Sequence, residues 1–216
     1  MKTLKSKKRR TLSSRLWLER QINDPYVALA KKKGLRSRAA FKLAELDDKY
    51  KFLKPGMRVA DLGAAPGGWT QVAVERVKAG NLGKGHVVAI DILPMDPIPG
   101  AHLLQGDFLA PETPAKLEAL LEGRADLVMS DMAAPTTGHA PTDHLRIMGL
   151  AEAALDFARQ VLAPGGVFIA KLFQGGAEKT LLDQLKTSFA TVRHAKPPAS
   201  RKDSKESYVI ATGFRE

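Results

Sequence analysis

The 216-residue chain has no cysteine, which excludes disulfides, thiolate metal sites and a cysteine nucleophile. No apolar run approaches the roughly 20 residues of a membrane span, and no apolar core follows the early lysines as secretory export requires. A soluble, cytoplasmic protein is therefore expected, acting as a monomer without a membrane or metal partner. "KSKKRR" (5–10) lacks the apolar face of an organellar transit helix, which leaves that reading a minor alternative. No internal repeat is visible. With 44% apolar residues the chain can build one sizeable domain.

Acid is scarce in one place. Residues 1–38 hold thirteen Lys or Arg against only Glu19 and Asp24, while the remainder carries 21 residues of each sign, so the whole net charge of +11 is N-terminal. Such a block suits a polyanion, because each neutralised phosphate releases counterions. A solubilising or disordered tail is the plainer alternative. Trp17 and Tyr26 could stack on bases there, or anchor an N-terminal helix to the domain. We divide the chain into a basic extension (1–34) and a main domain (35–216).

Ala39, Leu43, Leu46 and Tyr50 recur at helical spacing behind Ser37, a candidate cap, and Lys42 borders that apolar face. From residue 57 strands and helices alternate. Strands are predicted at "MRVADLG" (57–63), "HVVAID" (86–91), "HLLQGDF" (102–108), "ADLVMSD" (125–131), "VFIAKLF" (167–173), "TVRHAK" (191–196) and "SYVIATGF" (207–214). Between them fall helices carrying Trp69, Val72, Ala73 and Val77; Leu117, Leu120 and Leu121; Ile147 to Val161, stopped by "APGG" (163–166); and Leu181, Leu182, Leu185 and Phe189. This order predicts an α/β Rossmann-like fold: a seven-stranded, mostly parallel sheet with helices on both faces. The last two strands are too close in sequence for a helical crossover, so they should form an antiparallel C-terminal hairpin.

"DLGAAPGGWTQ" (61–71) follows the first strand and opens a helix, where α/β sheets bind nucleotides. It is neither the pyrophosphate fingerprint nor a P-loop, since Ala65 and Pro66 break one spacing and no Gly-Lys-Ser/Thr supplies the other. Its glycines would let a ligand approach the backbone, and the helix N-terminus offers free N–H groups. Asp91, Asp107 and Asp131 fall at the ends of the second, third and fourth strands, with Asp91 placed to accept ribose hydroxyls. Three acids beside a glycine loop suit S-adenosylmethionine, a nucleoside carrying an amino acid and a sulfonium. Each acid alone could equally cap the next helix.

In order and spacing, "RSRAAFKL" (36–43), "DLGAAPGGW" (61–69), "LPMDPI" (93–98), "QGDF" (105–108), "SDMA" (130–133), "LAPGG" (162–166), "KLFQG" (171–175) and "SRKDSKESYVIATG" (200–213) resemble the FtsJ/RrmJ ribosomal RNA 2′-O-methyltransferases. The likeness runs from about Ser13 to Gly213 and is closest to the bacterial enzymes that methylate a uridine ribose in 23S ribosomal RNA. It implies the class I S-adenosylmethionine-dependent methyltransferase fold and a catalytic tetrad at Lys42, Asp131, Lys171 and Glu206. Cofactor contacts are implied at Gly63, Gly67, Trp69, Asp91, Asp107 and Asp131. One departure follows Asp131, where the usual "DMAPN" becomes "DMAAPTTGH" (131–139).

Transfer to a ribose hydroxyl needs in-line alignment and removal of one proton, with no covalent intermediate. Lys171 could serve as base if burial and a neighbouring Lys42 favour its neutral form. Alternatively it stays charged, orients the hydroxyl and stabilises the developing alkoxide. Asp131 would orient it, with Lys42 and Glu206 positioning the ribose. "SDMAAP" lacks the Asn/Asp-Pro-Pro-aromatic pattern of amino-group methylation, and cytosine C5 chemistry needs the missing cysteine. Arg36, Arg38, Lys42, Arg201 and Lys205 are candidate RNA contacts, and Arg193, Lys196 and Lys202 extend the second basic patch. The alternative function is a catalytically weak RNA-binding factor that assists ribosome assembly. In either case the expected partner is ribosomal RNA, free or within the large subunit.

Overall fold

The computed structural model describes residues 18–19, 21–135, 137–173 and 178–215. Trp17 and most of the basic lead, and Gln174 and Gly175 of "KLFQG", lie outside them. The first long helix, α1 (Pro25–Lys32), opens with Asp24 accepting from the Tyr26 N–H at 3.0 Å and with proline at its first position. It packs on α2 (Ala39–Tyr50): Tyr26 lies 5.4 Å from Phe41 ring to ring, and its hydroxyl donates to Glu45 at 3.0 Å. Tyr26 thus anchors this helix.

The alternating core then runs β1 (Arg58–Leu62), α3 (Gly68–Val77), β2 (His86–Asp91), β3 (Ala101–Gln105), α4 (Thr113–Leu121), β4 (Ala125–Ser130), α5 (Ala140–Val161), β5 (Leu162–Phe173), α6 (Glu178–Ser188), β6 (Phe189–Ala195) and β7 (Glu206–Phe214). The sheet order is β3-β2-β1-β4-β5-β7-β6, parallel except for β7, which pairs antiparallel with both β5 and β6. This is the expected seven-stranded, mostly parallel sheet with its C-terminal hairpin. Because β1 touches both β2 and β4, the chain reverses its direction of travel there, and the crevice outside those strand ends is where such sheets hold ligands.

Two cores cover the two faces. One buries Leu117, Leu121, Leu155 and Leu181 of α4 to α6 against Phe168, Ala170 and Leu172. The other buries Leu43, Leu46 and Trp69 of α2 and α3 against Val167, Ile169, Tyr208 and Ile210. Side chains alternate along a strand, so Lys171 shares the face of Val167 and Ile169 and points to the α2 side. That alternation also puts Asp61 of β1 beneath α3.

Four local expectations are corrected. The third strand stops at Gln105, two residues before Asp107: the Gly106 N–H makes the last ladder bond, to the Asp91 carbonyl at 2.9 Å, and the chain bends at Gly106. "APGG" does not separate α5 from β5: Leu162 pairs with Ala125 and Val167 with Leu127, so residues 163–166 form an excursion inside the strand. Phe189 belongs to β6, where it packs 5.3 Å from Phe214 and 6.3 Å from Phe168. Ser37 does not cap α2; Arg38 holds the cap position without a side-chain bond, and the buried Ser37 hydroxyl has no hydrogen-bond partner. No helix among the described residues is long and apolar enough to cross a membrane.

Candidate active site

Four charged side chains converge at the carboxyl edge of the parallel strands. Lys42 comes from α2, Asp131 follows β4, Lys171 stands two residues before the end of β5 and Glu206 opens β7. The Lys42 ammonium lies 2.8 Å from the Glu206 carboxylate, and the Lys171 ammonium 3.2 Å from Asp131 Oδ1. Lys171 also donates to the Asp131 main-chain carbonyl at 2.6 Å. Its side chain is only 7% exposed, and among the described residues these two acceptors hold the ammonium.

A fifth residue joins the two pairs. The fully buried Tyr208 accepts from Lys42 Nζ at 3.2 Å and donates to Asp131 Oδ1 at 2.9 Å. Burial, Asp131 and Glu206 all push its pKa well above the usual phenol value, which keeps it a donor. Glu206 accepts in addition from Ser200 Oγ at 2.7 Å. The result is one line, Glu206 to Lys42 to Tyr208 to Asp131 to Lys171, in which two cations balance two anions. In this line the tyrosine hydroxyl and the Asp131 carboxylate stand between Lys42 and Lys171. Sequence reasoning passed over Tyr208, although the period of two from Glu206 already placed it on the same strand face.

The glycine loop lies next to this line. Gly63 and Gly67 have φ of +76° and +106°, a region that favours glycine, and protein atoms already fill the space a side chain would need. A Cβ on Gly63 would stand 2.5 Å from Met132 Cγ, one on Gly67 2.7 Å from Ile98 Cδ1, and one on Gly68 2.3 Å from Ser37 Oγ. The glycines therefore serve close chain packing, a reason the ligand-approach argument did not contain. Trp69 is 2% exposed, donates to the Ala39 carbonyl at 2.9 Å and lies 5.5 Å from the Tyr208 ring, bracing the loop against α2.

Asp91 accepts from the Ala65 N–H through Oδ2 and from the Leu93 N–H through Oδ1, both at 2.8 Å. Asp107 is exposed and accepts from Leu109 N–H at 2.9 Å. Exposed Ile92, Leu93 and Leu109 follow these two acids, giving an apolar rim beside carboxylates. An apolar base and a hydroxylated sugar fit that combination. Beneath the loop, Asp61 is wholly buried, accepts from Thr70 Oγ1 at 2.6 Å and leaves Oδ1 without a hydrogen-bond partner. Desolvation raises its pKa to about 7; Thr70 opposes the shift, while Asp131 and Asp91 add to it.

The candidate RNA contacts divide sharply. Arg38 forms an ion pair with Asp24 at 3.0 Å and donates to the Ala199 carbonyl; Arg201 reaches the same Asp24 at 3.5 Å. Lys196 donates to the carbonyls of Lys202 and Ser204. Arg36 donates to three carbonyls, of Pro66, Asp96 and Pro97. By contrast Arg193, Lys202 and Lys205 are exposed.

The sheet order, the glycine loop and the acids at the strand ends define a Rossmann-like fold of the methyltransferase class. The chain belongs to the FtsJ-like methyltransferase family, whose model matches residues 35–214. It is 67% identical over 213 residues to the ribosomal RNA large subunit methyltransferase E of Paramagnetospirillum magneticum, covering 98% of this chain and 87% of that one. Among solved structures, a protein described as a ribosomal RNA methyltransferase of Plasmodium falciparum superposes with a TM-score of 0.73 at 36% identity, over 83% of this chain and 98% of that one. Human methyltransferase-like protein 13, solved in complex with SAH, shares the fold alone, with a TM-score of 0.54 at 16% identity over 82% of this chain and 81% of that one.

Proposed function

We propose that this protein transfers a methyl group from S-adenosylmethionine to the 2′-hydroxyl of a uridine ribose in 23S ribosomal RNA, within the assembled 50S subunit. The observation that carries the reading is the continuous line of Lys42, Tyr208, Asp131 and Lys171 beside the glycine loop. The printed names of the relatives, which concern large-subunit ribosomal RNA, support the substrate class.

Asp91 would hold the ribose of the cofactor, Ile92, Leu93 and Leu109 its base, and the loop after β1 its amino-acid part, near Asp131. S-adenosylmethionine supplies an electrophilic methyl on a sulfonium. The chain's own residues must align the acceptor hydroxyl and manage its proton. Lys171, held by the carboxylate and carbonyl of Asp131, presents positive charge where an alkoxide would develop. Asp131 fixes the direction of that ammonium. Lys42, held by Glu206 and Tyr208, would orient the acceptor ribose from the opposite side. The exposed Lys202, Lys205 and Arg193 would meet flanking phosphates.

The test offers labelled S-adenosylmethionine with naked ribosomal RNA and, separately, with 50S subunits lacking the modification. Label entering 50S subunits at the ribose of one uridine supports the whole proposal. Label entering only naked RNA removes the assembled-subunit part. Binding without transfer to either would favour the assembly-factor alternative.

A further inference from the structure

Arg36 looked from its charge like a phosphate contact, yet its guanidinium, at the surface, is bonded to main-chain carbonyls. Nη1 donates to the Asp96 carbonyl at 2.7 Å and to the Pro66 carbonyl at 3.3 Å, and Nη2 donates to the Pro97 carbonyl at 2.7 Å. Three of its five donor N–H groups are thereby committed to backbone. The main-chain N–H of Arg36 donates to Gln71 Oε1 at 2.8 Å, and the Gln71 amide returns to the Gly34 carbonyl at 3.2 Å. The arginine stem packs against Gly67, where an added Cβ would come within 3.1 Å of its Cδ.

These contacts join two loops that the Ala65 N–H to Asp91 bond already links at their base, and they extend that link outward to residues 96 and 97. Pro66 belongs to the loop after β1, and Asp96 and Pro97 to the loop after β2, which begins just past Asp91. The same two loops form the two sides of the cleft that the proposed function assigns to the cofactor. Arg36 also sits six residues before Lys42, so the clamp ties that cleft to the helix bearing a tetrad lysine.

We infer that Arg36 is a positioning residue for the cofactor: it fastens the loops after β1 and β2 to one another and thereby sets cofactor affinity. It is not a phosphate contact. The inference rests on the cofactor cleft proposed above. A planar fork reaching three carbonyls has no lysine equivalent, because an ammonium is a point charge on a flexible stem. Loss of the fork leaves both loops to be ordered by the cofactor itself, and ordering costs affinity.

Calorimetry with S-adenosylhomocysteine tests this on wild type, Arg36→Ala, Arg36→Lys and Lys205→Ala, alongside ribosomal RNA binding across a salt series. Arg36→Ala is expected to weaken cofactor binding by about 10-fold and Arg36→Lys by an intermediate factor, the scale of about one charge-assisted bond. At saturating cofactor, kcat should stay within about twofold of wild type, and the salt slope of RNA binding should be unchanged. Lys205→Ala should do the reverse, lowering the slope by about 1 while leaving cofactor affinity alone. If Arg36→Ala fails to fold, Arg36→Lys carries the same comparison. Wild-type cofactor affinity in both Arg36 variants, or a slope reduced as for Lys205→Ala, overturns the inference alone. A wild-type chain that binds no S-adenosylhomocysteine overturns the proposed function, and the inference with it.

Discussion

Lys171 and Tyr208 stand directly opposite each other in the antiparallel β5–β7 pair, and both side chains end on the same oxygen, Oδ1 of Asp131. Register explains the meeting. One lysine and one tyrosine on facing strands point to the same side of the sheet, and the acid that follows β4 arrives between them. A shift of one residue in that pairing would send Lys171 into the opposite core.

Replacing Lys171 should therefore damage turnover more than binding. Lys171→Met is expected to lower kcat by about 10²- to 10⁴-fold, the usual scale for losing a proton-handling or charge-stabilising group. Cofactor affinity should stay within about twofold, and Lys171→Arg should not restore the rate, since a guanidinium cannot take the compact ammonium's place. Single-turnover kinetics with bound cofactor and RNA separate the two effects.

Tyr208→Phe removes only the hydroxyl that connects the two ion pairs. Lys42 loses one acceptor and Asp131 one donor, so a fall in stability of about 1–3 kcal/mol is expected in denaturant unfolding. The rate should fall by about 3- to 30-fold, less than for Lys171, because each charged group keeps its ionic partner. A rate loss as deep as that of Lys171→Met would give the tyrosine a direct part in the chemistry.

Lys42 and Glu206 are both nearly buried, so removing one strands the other. Lys42→Met and Glu206→Gln should each destabilise by about 2–4 kcal/mol, and the double variant by less than their sum, because no uncompensated charge remains. Unfolding midpoints of the four proteins in the cycle give the coupling. Additive losses would mean that the pair has no private interaction.

Asp61 gives stability a pH signature. Its carboxyl ionises near 3.8 in the unfolded chain and at about 7 in the folded one. Between those values the native state holds a proton that the unfolded state releases, so stability from this group falls as pH rises from about 4 to about 7 and then levels off. The slope is at most about 1.4 kcal/mol per pH unit. Asp61→Asn removes it, and its melting temperature should depend less on pH between 5 and 8 than that of wild type. Equal pH dependence in the two proteins would rule out this assignment.

The order of strands and helices was legible because apolar periodicity switches cleanly between two and 3.6, and Lys171 stands out as the one charge in the apolar run "VFIAKLF" (167–173). Asp131 was read from its place at the end of the fourth strand, whereas the roles of Lys42 and Glu206 were reached only through resemblance of motifs; spacing alone carried no hint that α2 and β7 would meet. Tyr208 stayed hidden because a tyrosine in a buried strand reads as core, and its role depends on the β5–β7 register across an intervening helix and strand. Phe189 fitted helical spacing after Leu185, yet the aromatic packing with Phe168 and Phe214 made it the start of a strand. Arg36, Arg38 and Arg201 were read by charge, and charge does not say what a guanidinium faces. Carbonyls and Asp24 took donors that the sequence left free for phosphate.

The central claim is that the acceptor is a ribose hydroxyl, and alkaline hydrolysis of RNA methylated with labelled S-adenosylmethionine tests it most directly. A 2′-O-methyl group removes the nucleophile that cleaves the adjacent phosphodiester, so the account predicts label in an alkali-resistant dinucleotide whose 5′ residue is uridine. Label released in a mononucleotide would place the methyl on a base and contradict the account.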